Sequence, residues 1–142
     1  RGLGSPVLTH DMAALAGRGV APRVVADQTG RLTFTADLAA GIIHLLSTGA
    51  EPGTYNLSGE GPVVSWCDVA KRVYELAGRS ADEVTPVTTE EYYSGQEGIA
   101  PRPLISTLDL SKIETIGFTP ADSMRRLEEY VSALLSETDG ND

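Results

Sequence analysis

Along the chain, apolar side chains repeat at three- and four-residue intervals in several stretches, and short β-branched runs separate them. Ser5 followed by Pro6 has the form of an N-cap and a first helical residue, and Leu8, Met12 and Leu15 continue that helix up to Gly17. Arg23-Val24-Val25-Ala26 reads as a short strand, with a loop after it. Thr35 is placed to cap the next helix, and Asp37 lies in its first turn, where the helix dipole favours a negative charge. Leu38, Ile42, Leu45 and Leu46 form its apolar stripe, which ends near Gly49. Thr54-Tyr55-Asn56-Leu57 then reads as a strand running into the turn SGEGP. Ser65 with Asp68 forms a capping box for a helix carrying Trp66, Val69, Ala70 and Val73 and stopping at Gly78.

The second half carries weaker signals of the same kind. Val84-Thr85-Pro86-Val87 is a short extended piece, and Thr88 with Glu91 caps a single helical turn through Glu90, Tyr92 and Tyr93. After the flexible stretch SGQEGIAPRP, Ser106-Thr107-Leu108 reads as extended and Asp109 caps a helix in DLSKIETIG. Thr119-Pro120-Ala121-Asp122 opens the last helix, through Leu127, Val131 and Leu134. The alternation of strands and helices places the chain in the α/β (α+β) class, with strand order open. One domain is expected over residues 1–136, and a disordered tail over 137–142.

Charge narrows the partners. Acidic side chains outnumber basic ones 20 to 11, a formal net charge of −9, so the long-range field repels nucleic acid and anionic membranes and any anion must be held by local groups. No apolar run approaches the roughly 18 residues of a membrane span, and RGLGSP lacks the charged-then-apolar pattern of a secretory signal, so a cytoplasmic location is expected. The first residue is Arg1, which suggests a piece of a longer polypeptide.

Most chemistry-bearing patterns are missing. His10 and His44 fall on separate helices without a ligand partner at metal spacing, so no metal site is expected, and Cys67, beside Trp66 in a helical pattern, reads as a buried thiol. The sequence holds no G-x-S-x-G elbow, no G-x-G-x-x-G and no phosphate-binding P-loop. Two arginines remain. Arg31 stands in a loop between a strand and a helix, and Arg102 lies between Pro101 and Pro103, which hold it extended. Their forked guanidiniums suit phosphate oxygens, although each could equally be a solvated surface charge or the partner of a carboxylate.

Three stretches in order, DQTGRLTFTADLA, GTYNLSGEGPVVSWCDVAKRV and RPLISTLDLSKIETIGFTP, resemble the C-terminal substrate-binding part of the dTDP-4-dehydrorhamnose reductase family of extended short-chain dehydrogenases/reductases. The resemblance runs from the first helix to Leu135, and RLTFTADLA and PVTTEEYY are most similar to actinobacterial-type members, some of which are fused to a dTDP-sugar 3,5-epimerase. It implies that Arg31 and Arg102 hold the diphosphate of a dTDP-sugar, that Gln28 and Thr33 offer hydrogen bonds beside it, and that Phe34 packs against base or sugar. The S-W pair at Ser65-Trp66 belongs to the same pattern, with Trp66 read as core. Leu32 stands where the family usually has proline, and Ser123 where a tryptophan often follows the aspartate, so a looser loop and a differently packed last helix are expected.

The resemblance also implies what lies outside the chain. The family reduces the C4 ketone of dTDP-4-dehydro-L-rhamnose with NADPH or NADH, held on a glycine-rich Rossmann domain that also carries a catalytic Tyr-x-x-x-Lys. Here only Lys71 and Lys112 occur, neither with a tyrosine four residues before it, so no catalytic residue is assigned and the chain alone is expected to be inactive. The expected partners are the dTDP-sugar, the missing N-terminal Rossmann domain, a fused epimerase domain if the parent has one, and a second copy through an uncovered docking face. Another sugar-nucleotide epimerase or dehydratase of the superfamily, or a non-catalytic regulatory relative, stays open as an alternative.

Overall fold

The computed structural model describes residues 5–139, with side-chain surroundings from 9 to 137. In chain order the elements are α1 (Ser5–Gly17), β1 (Arg23–Val25), β2 (Thr29–Gly30), α2 (Thr35–Ser47), β3 (Val64–Ser65), α3 (Trp66–Leu76), a 3-10 turn (Ala81–Glu83), β4 (Thr85–Val87), α4 (Thr89–Tyr93), α5 (Ser111–Glu114) and α6 (Ser123–Asp139). β1 and β4 pair in parallel, with Val24 opposite Pro86. β2 and β3 pair antiparallel, with Thr29 opposite Ser65. The mixture agrees with the α/β (α+β) expectation and supplies the strand pairing that the sequence left open.

α1, α3 and α6 enclose the core. Met12, Ala13 and Ala16 of α1 meet Val69, Ala70, Val73 and Tyr74 of α3 and Leu127 and Val131 of α6, with Val24 of β1 and Val84, the residue just before β4, in the same cluster. The buried Tyr74 directs its hydroxyl to the carbonyl of Val20 at 2.8 Å, which satisfies the one polar atom it takes inside. Arg126 of α6 donates through Nε and Nη2 to Oδ1 of Asp37, at 3.2 and 2.8 Å, and so ties the start of α2 to α6. Asp37 therefore answers a cation as well as the helix dipole.

Capping explains where several helices start. Ser65 and Asp68 form the expected capping box on α3, and Thr88 and Glu91 the expected one on α4. Ser80 and Glu83 make a third, on the 3-10 turn, which the apolar pattern did not signal. Other boundaries need correction. Phe34 occupies the N-cap position of α2 and Thr35 is its first residue, because the chain is still extended at Phe34. α6 begins at Ser123, since Asp122 Oδ1 accepts from the backbone N–H groups of Met124 and Arg125, so Asp122 and not Thr119 ends the preceding loop. The helix expected across DLSKIETIG is confined to Ser111–Glu114. α6 runs to Asp139 because no glycine or proline interrupts it before Gly140, so helix occupies the first part of the tail expected from 137; residues 140–142 and the cap of Ser5 lie outside the described side chains. The strand expected at 54–57 forms no ladder among the described residues.

Candidate functional site

Three sequence motifs converge on β2. Thr29 donates its backbone N–H to the Leu104 carbonyl at 2.7 Å, and its own carbonyl accepts from the backbone N–H and hydroxyl of Ser106 at 2.9 and 3.1 Å. β3, at the start of the S-W motif, pairs with the same residue through Ser65. The segment carrying Arg31 is thus hydrogen-bonded to the segment carrying Arg102 and to the N-terminus of α3, although the three lie far apart in sequence. Hydrophobic periodicity could not have shown this, because the bonds run between backbones in very short strands.

Within this frame Arg31 is oriented by its Nε, which donates to the Gly61 carbonyl at 2.9 Å. Gly61 has φ +93°, and Asp122 Oδ2 would lie 2.5 Å from any Cβ there, so only glycine can present its carbonyl in this way. The sequence flagged SGEGP as a turn without showing that it anchors the arginine. With Nε engaged, the two terminal nitrogens are the groups left for a ligand.

Arg31 borders two different recesses. One, of about 430 Å³, is also lined by Glu60, Asp109 and Glu114. The backbone and hydroxyl of Ser111 hold the Asp109 carboxyl below its ordinary range, so that side repels anions. The other, of about 30 Å³, is formed with Thr29, Gly30, Leu32, Val64, Trp66, Val69 and Ser106, without a carboxylate. Trp66 also lines the next cavity, of about 130 Å³, with Gln28, Arg102, Arg23, Tyr92 and Tyr93 among its walls. The indole therefore joins the Arg31 recess to the Arg102 cavity, a position half in the core and half on the cleft.

Gln28 is buried, and its Nε2 donates to the Thr89 hydroxyl at 3.0 Å. That hydroxyl donates in turn to Asp27 Oδ1 at 2.6 Å, while the Thr89 N–H lies 2.9 and 3.0 Å from the two carboxylate oxygens. These bonds hold the Asp27 carboxyl below its ordinary range, the hydroxyl contributing most, and they fix α4 to the loop after β1. Tyr92 and Tyr93 of α4 stack edge to face with ring centroids 5.1 Å apart. Thr33 and Phe34 line neither the Trp66 recess nor the Arg102 cavity; both are half-buried, and the Phe34 ring lies against Tyr130 of α6 with centroids 6.4 Å apart. Leu32, in place of the family's usual proline, is buried in the core.

Two other polar candidates sit in packing positions. His44 Nε2 is 2.9 Å from the Ile116 carbonyl, with its ring tilted against Phe118 at 5.4 Å, so it joins α2 to the turn after α5. Cys67 is buried, and desolvation pushes its thiol pKa up, as expected for a core cysteine.

Comparison with known proteins assigns the chain to a family. The chain is 38% identical over 117 residues to the spore coat polysaccharide biosynthesis protein SpsK of Bacillus subtilis, covering 82% of this chain and 38% of that protein. It is 32% identical over 128 residues to dTDP-4-dehydrorhamnose reductase of Mycolicibacterium smegmatis, covering 89% and 38%. The crystal structure of dTDP-4-dehydrorhamnose reductase from Bacillus anthracis in complex with NADP superposes with a TM-score of 0.71 at 32% identity, covering 91% of this chain and 42% of that one. The chain thus spans about two fifths of the length of these relatives. The family model described as the RmlD substrate binding domain matches residues 6–136, and the chain belongs to that family.

Proposed function

We propose that this chain is the sugar-nucleotide-binding part of an enzyme that reduces the C4 ketone of dTDP-4-dehydro-L-rhamnose to give dTDP-L-rhamnose. The observation that carries the reading is the hydrogen bonding of the Arg31 and Arg102 segments to one another through Thr29. It puts two cationic segments side by side in a chain whose overall field offers an anion nothing. In this reading the diphosphate lies on the carboxylate-free side of Arg31, above Trp66 and Ser106, and extends toward Arg102. Arg31 binds it with the two terminal nitrogens that the Gly61 anchor leaves over. Gln28, its amide N–H taken by Thr89, offers its Oε1 to a ligand donor. Thr33 and Phe34, which border neither recess, are given no ligand contact in this reading, Phe34 packing on Tyr130 behind the loop. NADPH or NADH supplies the hydride when bound to the parent enzyme; the glycine-rich loop that would hold it does not occur in this sequence, so the cofactor is assigned no residue here.

Trp66 is the one tryptophan of the chain and borders both recesses, which makes it a built-in reporter. Titration with dTDP is expected to change its fluorescence saturably, and thymidine at equal concentration to change it far less. Absence of any saturable change with dTDP, together with absence of binding heat, would refute the reading. With dTDP-4-dehydro-L-rhamnose and NADPH, the chain alone is expected to leave the nicotinamide absorbance at background.

A further inference from the structure

Residues 97–103 are tied down at both ends and nowhere between. Gln96 donates its backbone N–H to the Tyr93 carbonyl at 3.0 Å and its Nε2 to the Tyr92 carbonyl at 3.3 Å, and Leu104 and Ser106 are bonded to Thr29. Among the described residues no hydrogen bond reaches 97–103. Every residue from 94 to 106 is exposed, Ile99 among them. Gly95 and Gly98 have φ +77° and +74°, with open space where a Cβ would stand, so the bends at the start of the segment need glycine for their backbone and not for packing. Pro101 and Pro103 keep the chain around Arg102 extended. The segment is thus an extended arm on a glycine root, and it carries Arg102.

A second arginine borders the same cavity from a fixed element. Arg23 opens β1, where pairing with β4 sets it opposite Thr85, and it lines the 130 Å³ cavity together with Arg102, Trp66, Tyr92 and Tyr93. Among the described residues no carboxylate lines this cavity, and neither arginine is bonded to one. Glu91 of α4, held below its ordinary range chiefly by Thr88, also feels the Arg23 charge but stands outside the lining. Two guanidiniums around one cavity repel each other, and an anion placed between them turns that repulsion into two sets of charge-assisted hydrogen bonds. We propose that Arg23 and Arg102 form a clasp: a phosphate-bearing ligand lying between them draws residues 97–103 down over the cavity and shuts it from water. Arg23 is the fixed jaw, because its strand is paired, and Arg102 the moving one, because nothing between the glycine root and Leu104 holds it. Binding and closure are then one equilibrium, since only the closed arrangement puts both cations on the anion. The inference rests on the reading of the site as one for a sugar nucleotide, and adds to it a further cation and a closing segment.

Hydrogen exchange followed by mass spectrometry on the 142-residue chain tests it, with saturation judged by the Trp66 fluorescence. Without ligand the amides of 97–103 exchange at the earliest times; saturating dTDP slows them by about tenfold or more, and thymidine, which lacks the anion, does not. Arg23→Gln, saturated with dTDP through Arg31, shows no slowing, and Arg23→Lys, which keeps the charge, recovers part of it. If Arg23→Gln cannot be saturated with dTDP while its thymidine affinity and melting temperature match those of the parent, a phosphate contact has been lost, which also supports the clasp. Equal slowing in the parent and in Arg23→Gln overturns the proposal, and so does dTDP binding that leaves 97–103 fast in both. So does a result in which Glu91→Gln abolishes the slowing as Arg23→Gln does and both lower the melting temperature, because Arg23 then acts by holding α4. Failure of the parent to bind dTDP at all removes the sugar-nucleotide reading and the clasp with it, whereas binding without closure removes the clasp alone.

Discussion

Replacing Ser123 by alanine should stabilise this protein. Ser123 is 0% exposed at the first position of α6, and its hydroxyl oxygen has no hydrogen-bond partner among the described residues. It is wedged against Gly59, where a Cβ would come within 2.7 Å of the Ser123 Cβ and 2.5 Å of the Leu32 carbonyl oxygen. The hydroxyl is hydrated in the unfolded chain and loses that partner on folding, a cost of about 1–3 kcal/mol for a buried unsatisfied group. Alanine removes the oxygen and leaves a small void, so the expected net gain is about 1–2 kcal/mol, or roughly 3–7 °C in melting temperature for a chain of this size. The backbone contacts survive the change: Ser123 N–H still donates to the Glu60 carbonyl, and Asp122 still caps Met124 and Arg125. Thermal and urea unfolding followed by far-ultraviolet circular dichroism measure the effect. A midpoint equal to or below that of the parent would show that the hydroxyl is satisfied and refute the reasoning. Gly59→Ala serves as the opposite control and is expected to destabilise, because the Leu32 carbonyl is backbone and cannot rotate away.

Two further outcomes follow from single groups. The Asp27 carboxyl, held below its ordinary range by Thr89, contributes stability that is complete above about pH 4 and is lost as pH falls through its lowered folded value; urea midpoints from about pH 7 to 2 should fall more steeply for the parent than for Asp27→Asn, and parallel curves would count against the Asp27–Thr89 contact. Cys67, 2% exposed and with its thiol pKa raised by burial, should react with a thiol reagent near neutral pH only as fast as the protein opens, whereas rapid stoichiometric labelling of the native chain would contradict its burial.

The elements that were legible in the sequence are those whose signals are local. The Ser65–Asp68 and Thr88–Glu91 boxes fix helix starts through side chains three residues apart, and both are present. Where the deciding partner is distant, the signal failed. Thr54–Leu57 has the alternation of a strand but no paired edge among the described residues, and which residue of 119–122 starts the last helix depends on the backbone N–H groups that the Asp122 carboxylate reaches. The site divides in the same way. Arg31 and Arg102 stood out by residue type and loop position, but the Gly61 anchor and the Thr29 bonds to Leu104 and Ser106 are contacts between segments that nothing in either segment announces.

The central claim is that Arg31 reads phosphate, and calorimetry on Arg31 variants with dTDP and with thymidine tests it most directly. Arg31→Lys keeps the charge but loses the fork that the Gly61 bond orients, so dTDP binding should weaken by about 1–2 kcal/mol, roughly five- to thirtyfold. Arg31→Ala should weaken it further, with a difference that shrinks in about 1 M salt, while thymidine binding stays within about twofold of the parent. If Arg31→Ala weakens dTDP and thymidine equally, or leaves dTDP unchanged, the arginine does not hold the diphosphate and the account of the site is wrong.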